Sequence, residues 1–440
     1  MSSQDTMSSV LDQVVAQHLC CGCGACVAAC PEQALCMKRT PAGLVWAGAG
    51  AEGDCTGCGL CLQVCPSRGI SSERLSGVED PFVGKVLGSY SGWATDSSTC
   101  SNGTSGGVVT AILSKLLDSG EIEAALLSRW SEDDPLRAEA YVAHSSADLV
   151  RSQKSKYCMV PLMSGLKADG LLAELEGKKV AIVGLPCHVQ ALSNLQSELG
   201  VLRDALVIGL FCDRVLSYHV VDELIAETGL GAAEVSAFEY RDKGQRGWPG
   251  DVLVKDAAAE GHYLDRSKRT GLKEYYTPIR CRLCFDKLNV LADIACGDGY
   301  GAPSRSEGIS TLLVRTEAGQ KALDLSADRL ELQPIELQAV AKAQSTEGRK
   351  RNLAAHVAAY EDAYPGVLVA LPQACRDGLA ATSGASQVLL KQWLAFENAA
   401  TAEEARTLAR EAMARDAAKR NSGGFAGRVL KALKRRLAGH

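Results

Sequence analysis

Between Gly84 and about Thr316 the chain alternates short apolar runs with stretches of helical periodicity. The apolar runs predict strands over Ile122–Ser128, Lys179–Gly184, Ala205–Phe211, Asp251–Val254, Leu291–Ala295 and Thr311–Arg315. Apolar positions three and four apart predict helices over Gly107–Asp118, Gly165–Leu175, Val189–Glu198 and Tyr218–Thr228. Such alternation predicts an α/β domain with a largely parallel core. From about Glu347 the pattern becomes alanine-rich and helical, as in Gln387–Glu397 and Ala402–Lys419, and Asn421–Gly424 reads as a flexible break. Beyond it Phe425, Val429, Leu430, Leu433 and Leu437 share one helical face, with Arg428, Lys431, Lys434, Arg435 and Arg436 supplying positive charge. That tail suits peripheral contact with an anionic membrane; a solvated, frayed terminus accounts for the same pattern.

Composition narrows the class. Of 440 residues, 46% are hydrophobic and 22% charged, the balance of a globular protein. A net charge of -5 gives no reason to expect nucleic-acid binding. The polar start Met1–Leu11 lacks the order of a signal peptide and no apolar run reaches the length of a spanning helix, so the expectation is a cytoplasmic protein. In that compartment 18 cysteines point to metal or redox chemistry rather than to a disulfide framework.

Their spacing names the chemistry. Cys20, Cys23, Cys26 and Cys30 follow Cys-x2-Cys-x2-Cys-x3-Cys, with Pro31 after them; Cys55, Cys58, Cys61 and Cys65 repeat the run before Pro66. In tandem runs of this kind three thiolates wrap one 4Fe–4S cubane and the fourth ligates the other. Cys20, Cys23, Cys26 and Cys65 are therefore assigned to a first cluster, and Cys55, Cys58, Cys61 and Cys30 to a second. Four-cysteine zinc sites are the alternative, disfavoured by two matching runs that each end in proline. Cys21 and Cys36 break the register and read as non-ligands.

Later motifs are less specific. Ser105-Gly106-Gly107 opens a helix and can present amides to a phosphate or pyrophosphate, although capping alone produces the same signal. Lys154 and Lys156 add charge nearby, as many surface lysine pairs do. Cys187 and Cys212 follow predicted strands, where residues of an open α/β sheet converge. With Cys281 and Cys284 they make four thiols for a third 4Fe–4S cluster; zinc, a thiol–disulfide pair and simple packing compete. Cys100, Cys158, Cys296 and Cys375 read as structural. Asp298 ends a strand with a carboxylate, suited to a cofactor contact or to turn chemistry. His188 is placed to deliver a proton or to hydrogen-bond and pack.

These residues together resemble the family of coenzyme F-420 hydrogenase/dehydrogenase β subunits. The resemblance rests on Ser105–Ala111, Ser155–Tyr157, Gly184–Cys187, Phe238–Lys243 with Gly247-Trp248, Cys281–Cys284 and Ala292–Asp298. It implies a flavoprotein, usually with FAD, passing electrons between iron–sulfur clusters and a two-electron partner such as the deazaflavin coenzyme; in plant and cyanobacterial relatives the partner is a chlorophyll side chain. It makes Ser105, Gly106 and Gly107 the flavin phosphate site, brings Lys156 and Asp298 into the flavin pocket, and favours the third cluster. Leu185 replaces a common threonine and Asp213 a common histidine, which puts the substrate in question.

The expected architecture is thus an α/β flavin-binding domain at 84–345, an N-terminal two-cluster ferredoxin-like α+β module at 12–75, a helical extension at 346–420 and a basic tail at 421–440. The expected activity is that of an iron–sulfur flavoprotein oxidoreductase with a small-molecule redox substrate. The alternatives are a non-catalytic electron-transfer subunit, served by ferredoxin or a partner redox subunit, and a redox protein of a surface-polysaccharide pathway.

Overall fold

The computed structural model describes residues 9–51, 53–70, 75–303, 305–377 and 384–437, with side chains left out at 384–385 and 421–437. In the N-terminal module each cysteine run enters a short helix, Ala25–Ala29 or Leu60–Gln63, from a glycine in the left-handed region. Between the runs β1 (Leu35–Arg39) and β2 (Val45–Ala49) form an antiparallel hairpin. Gly24 has φ +83°, and a Cβ there would meet the Ser164 amide nitrogen at 2.5 Å. This position needs glycine both for its conformation and because the next domain is packed against it.

That domain is built on an eight-stranded sheet. Its strands in chain order are β3 (Gly88–Ala94), β4 (Ala124–Trp130), β5 (Ala138–Ala143), β6 (Val180–Gly184), β7 (Leu206–Leu210), β11 (Ile294–Asp298), β12 (Ser310–Val314) and β13 (Leu330–Pro334). A separate antiparallel sheet holds β8 (Val235–Asp242), β9 (Asp251–Asp256) and β10 (Gly261–Leu264). The large sheet runs β13-β3-β12-β11-β7-β6-β4-β5. Only β11, β7, β6 and β4 pair in parallel; the flanking strands are antiparallel. The expectation of a largely parallel core therefore holds for the centre alone. The buried central strands, such as Val180–Gly184, are continuous apolar runs, whereas an outer strand such as Gly88–Ala94, one in from the sheet's edge, mixes in serine and glycine and escapes notice.

Predicted elements shift in instructive places. In place of the strand expected over Leu291–Ala295, the strand is Ile294–Asp298: Leu291 and Ala292 are buried in the preceding turn. Gly165–Leu175 divides into Gly165–Ala168 and Leu171–Leu175, because Gly170 adopts φ +70°. The expected break at Asn421–Gly424 is spanned by one helix, Ala402–Leu437. Glycine costs about 1 kcal/mol in a helix, which helix-favouring neighbours can offset.

The helical extension is stapled onto both cysteine regions. The Tyr360 hydroxyl donates to the Gln17 carbonyl at 2.6 Å. Glu397 lies 2.8 Å from His18 Nδ1 and accepts the Ile279 amide at 2.6 Å. The Arg282 guanidinium stacks 3.9 Å over the Trp393 ring. Apolar residues of the N-terminal module, the sheet and the extension share one buried core, from Val14 and Leu44 through Val189 to Trp393 and Ala409.

Candidate functional site

The three thiol sets are each brought together. Cys20, Cys23, Cys26 and Cys65 interact with one another and are buried. Cys61 feels Cys55, Cys58 and Cys30, and this set opens outward, with Cys55 and Cys58 exposed. Cys187, Cys212, Cys281 and Cys284 form the third group. Cys187 opens the helix Pro186–Leu199 just past β6, and Cys212 lies just past β7. Asn289 ties these two strand ends, donating to the Gly184 carbonyl at 2.9 Å and the Leu210 carbonyl at 3.2 Å. Cys281 and Cys284 arrive from the short helix Ile279–Arg282. Burial pushes the thiols up, Cys20 and Cys65 to about 12 and Cys281 to about 11, so thiolates there require positive charge or metal.

A cavity of about 520 Å³ adjoins the third group and reaches the glycine turn. Its walls come from the carboxyl ends of β6, β7 and β11, the Gly103–Gly107 loop, Lys154–Tyr157 and the helix Arg266–Tyr276. Cys212 lines one part, Ser105 and Asp298 another. The volume is within the ordinary range for a cofactor pocket.

Ser105 and Asp298 meet directly, the serine hydroxyl donating to the carboxylate. Arg241 completes the arrangement with two bonds to Asp298 at 2.7 and 2.9 Å and one to the Tyr157 hydroxyl at 3.2 Å. The Trp248 indole donates to Asp298 at 3.3 Å. Burial opposes ionisation of Asp298, but the Arg241 charge and these donors together hold its carboxyl below the usual range. Gly106 shows why the turn is glycine: a Cβ would lie 2.5 Å from the Gly92 carbonyl oxygen. Its amide donates to Ser310 Oγ at 2.9 Å, so it is committed to the fold. Val108, Val109 and Thr110, whose amides begin the helix Val108–Asp118 and have no partner within it, line the cavity. Lys243 braces the loop from behind, donating to the Cys100 and Ser105 carbonyls at 2.7 and 2.9 Å.

Lys156 lines the cavity, but its ammonium donates to the Ser152, Gln153 and Lys154 carbonyls at 2.8, 2.9 and 3.3 Å. Burial pushes it down to about 7, while three carbonyl acceptors favour the ammonium. Its main work is to brace the loop. His188 Nδ1 accepts the Leu185 amide at 3.3 Å, so Nε2 carries the proton and donates to the Val160 carbonyl at 2.9 Å. Both ring nitrogens are occupied, which favours positioning over proton delivery.

Sequence reasoning missed Arg241, Lys243, Arg269, Arg280 and Glu397. The first two lie inside the quoted Phe238–Lys243 motif, which was the available signal; nothing in the sequence marked the others. Arg269 is 8% exposed, faces the cavity, stacks 5.0 Å from the Tyr157 ring, and its Nε has no hydrogen-bond partner among the described residues. Asp213, where histidine was usual in the resemblance, is ringed by Arg214 at 2.9 Å, Lys287 at 3.7 Å and Arg349 at 3.8 Å.

Two halves of one family description, that of the coenzyme F-420 hydrogenase/dehydrogenase beta subunit, match in chain order: its N-terminal part at residues 89–167 and its C terminus at 177–338. The chain belongs to this family. A 4Fe-4S dicluster domain matches residues 19–70, so the N-terminal module is an iron–sulfur module. Among relatives, the coenzyme F-420-dependent sulfite reductase of Methanocaldococcus jannaschii is 30% identical over 236 residues, 50% of this chain; the match spans only 34% of that protein. A component of the F-420H2 dehydrogenase of Methanosarcina mazei is 27% identical over 331 residues, covering 74% of this chain and 87% of its own length. A chain of the F-420-reducing nickel–iron hydrogenase complex of Methanosarcina barkeri superposes with a TM-score of 0.51 at 22% identity, over 67% of this chain and 98% of that one, a likeness of fold. Among the described residues no helix is long and apolar enough to cross a membrane.

Proposed function

We propose that this family member is an iron–sulfur flavoprotein oxidoreductase that exchanges electrons between a two-electron small-molecule substrate and 4Fe–4S clusters through FAD. The carrying observation is that one cavity has the glycine turn in one wall and Cys212, of the third thiol group, in another. The residues fit such a group: helix amides and an unpaired Arg269 suit its phosphates, and the Arg241–Asp298 lock fixes the turn beside it. Bound flavin supplies the ability to take electrons in pairs and release them singly. Ser105, Gly106, Gly107, Lys156 and Asp298 build or brace that pocket. Twelve cysteines hold three clusters: Cys20, Cys23, Cys26 and Cys65; Cys55, Cys58, Cys61 and Cys30; and Cys187, Cys212, Cys281 and Cys284.

The relatives named as hydrogenase and dehydrogenase subunits support the deazaflavin coenzyme as substrate and a partner redox subunit as electron acceptor or donor. Exposure of Cys55 and Cys58 favours the second cluster as the one that faces this partner. Protein purified without oxygen is expected to be brown, with about twelve irons and about one FAD per chain. About eight irons would refute the third cluster, as would zinc at Cys281 and Cys284; a reconstituted chain without flavin refutes the enzyme reading. Anaerobic mixing with reduced deazaflavin, NADH, NADPH and reduced ferredoxin, followed by flavin bleaching, identifies the donor. Bleaching of the isolated chain by a small molecule separates an enzyme from a subunit that only relays electrons.

A further inference from the structure

Cys21 and Arg280 lie between the first and third thiol groups. Cys21, which the motif spacing leaves out of the ligand set, has its side chain near enough to interact with both Cys23 and Cys187. Cys23 belongs to the first group and Cys187 to the third. Arg280 immediately precedes Cys281 and is 5% exposed. Its Nε donates to Ser67 Oγ at 2.9 Å and its Nη1 to the Leu283 carbonyl at 3.3 Å. Ser67, two residues past Cys65, donates in turn to the Leu19 carbonyl at 2.6 Å. The guanidinium is thereby anchored to both cysteine regions. Its charge acts on Cys284, Cys21, Cys281 and Cys187, and more weakly reaches Cys20 and Cys65. Its hydrogen-bond acceptors among the described residues are a hydroxyl and a carbonyl, both neutral. A buried cation so placed is costly unless anions face it. Thiolate-ligated clusters on either side are such anions.

We propose that Cys21 and Arg280 form the junction for single-electron transfer between the third and first clusters. The inference rests on the three-cluster reading above. One electron leaves one cluster as one enters the other; no bond forms or breaks and no proton moves, and reduced flavin or dithionite is the source. Arg280 serves as a shared counter-cation: it stabilises the added negative charge on either side, so it raises both reduction potentials. Cys21 fills the gap between the ligand sets with a polarisable sulfur. Both act as positioning residues, since neither ligates iron.

The test uses cluster-loaded holoenzyme, with iron counted per chain and potentials read by redox titration in an EPR spectrometer. Arg280→Gln with wild-type iron content is expected to shift the first and third clusters to more negative potentials together, and Arg280→Lys to restore most of the loss. Cys21→Ala with wild-type iron is expected to slow electron arrival at the ferredoxin clusters after flash reduction of the bound flavin. Unchanged potentials in Arg280→Gln, or a shift confined to one cluster, overturn the shared role. A wild-type transfer rate in Cys21→Ala overturns the junction, and so does a loss of about four irons, which would make Cys21 a ligand. Where Arg280→Gln fails to load, Cys21→Ala still decides, since it leaves every assigned ligand in place. About eight irons in the wild-type chain would instead show that the three-cluster reading itself had failed.

Discussion

Glu397→Ala removes the carboxylate that pins the helical extension to both cysteine regions. The Glu397 side chain is 1% exposed and that of His18 7%, so solvent screens the pair very little. Two bonds are lost, one to His18 at 2.8 Å and one from the Ile279 amide at 2.6 Å. Hydrogen bonds to a charged group contribute about 1.5–3 kcal/mol each. Burial raises the Glu397 pKa against the charged form that these two contacts favour, so the loss is about 2–4 kcal/mol, with the His18 ring and the Ile279 amide left without that partner. Glu397→Gln keeps an acceptor for Ile279 and nearly the same shape, and should cost about 1–2 kcal/mol. The measurement is urea unfolding of the loaded protein, followed by cluster absorbance and by tryptophan fluorescence. Trp46 reports on the junction directly, since its ring lies 5.6 Å from that of His18. Both signals should move to lower urea in the order wild type, Gln, Ala. An alanine variant within about 0.5 kcal/mol of wild type, or a glutamine variant as damaged as alanine, would refute the clamp.

Gly106→Ala should lower flavin content and cost about 1–3 kcal/mol in thermal unfolding, because its methyl group would press on the Gly92 carbonyl, a backbone atom that cannot rotate away. Arg269→Gln should change stability little, since it removes a buried Nε without a hydrogen-bond partner together with a contact on the Tyr157 ring, yet weaken FAD or pyrophosphate binding about tenfold in a fluorescence titration. The cluster-free chain should lose stability above about pH 9. Burial raises the folded pKa of Cys20 and Cys65 to about 12 and of Cys281 to about 11, so the folded state holds protons that the unfolded thiols release. That stability is fully present below the unfolded thiol pKa and is lost as pH rises through the folded values; melting the apo and loaded forms from about pH 7.5 to about 10.5 should show the decline in the apo form alone.

Local chemistry made much of this protein legible from its sequence. The two cysteine runs specify their own loops, because ligand spacing and glycines act over a few residues. Central strands such as Val180–Gly184 and Leu206–Leu210 were readable because burial on both faces demands unbroken apolar runs. Motif order also marked the glycine turn, Asp298 and the four later cysteines. What those groups touch was settled only by the tertiary structure. Arg241 reaches Asp298 across 57 positions, Arg280 reaches Ser67 across 213, and Glu397 reaches His18 across 379. No periodicity or spacing encodes such contacts, since they depend on how separate elements pack. For the same reason the Lys156 ammonium, at the cavity wall, is seen to donate to three loop carbonyls, and Cys21, off the register of its own run, lies near Cys187. The sequence determines which atoms can hold iron; the packing of the N-terminal module against the sheet and the extension determines which of those sites can exchange electrons, because electron transfer falls off with the distance that only the folded chain sets.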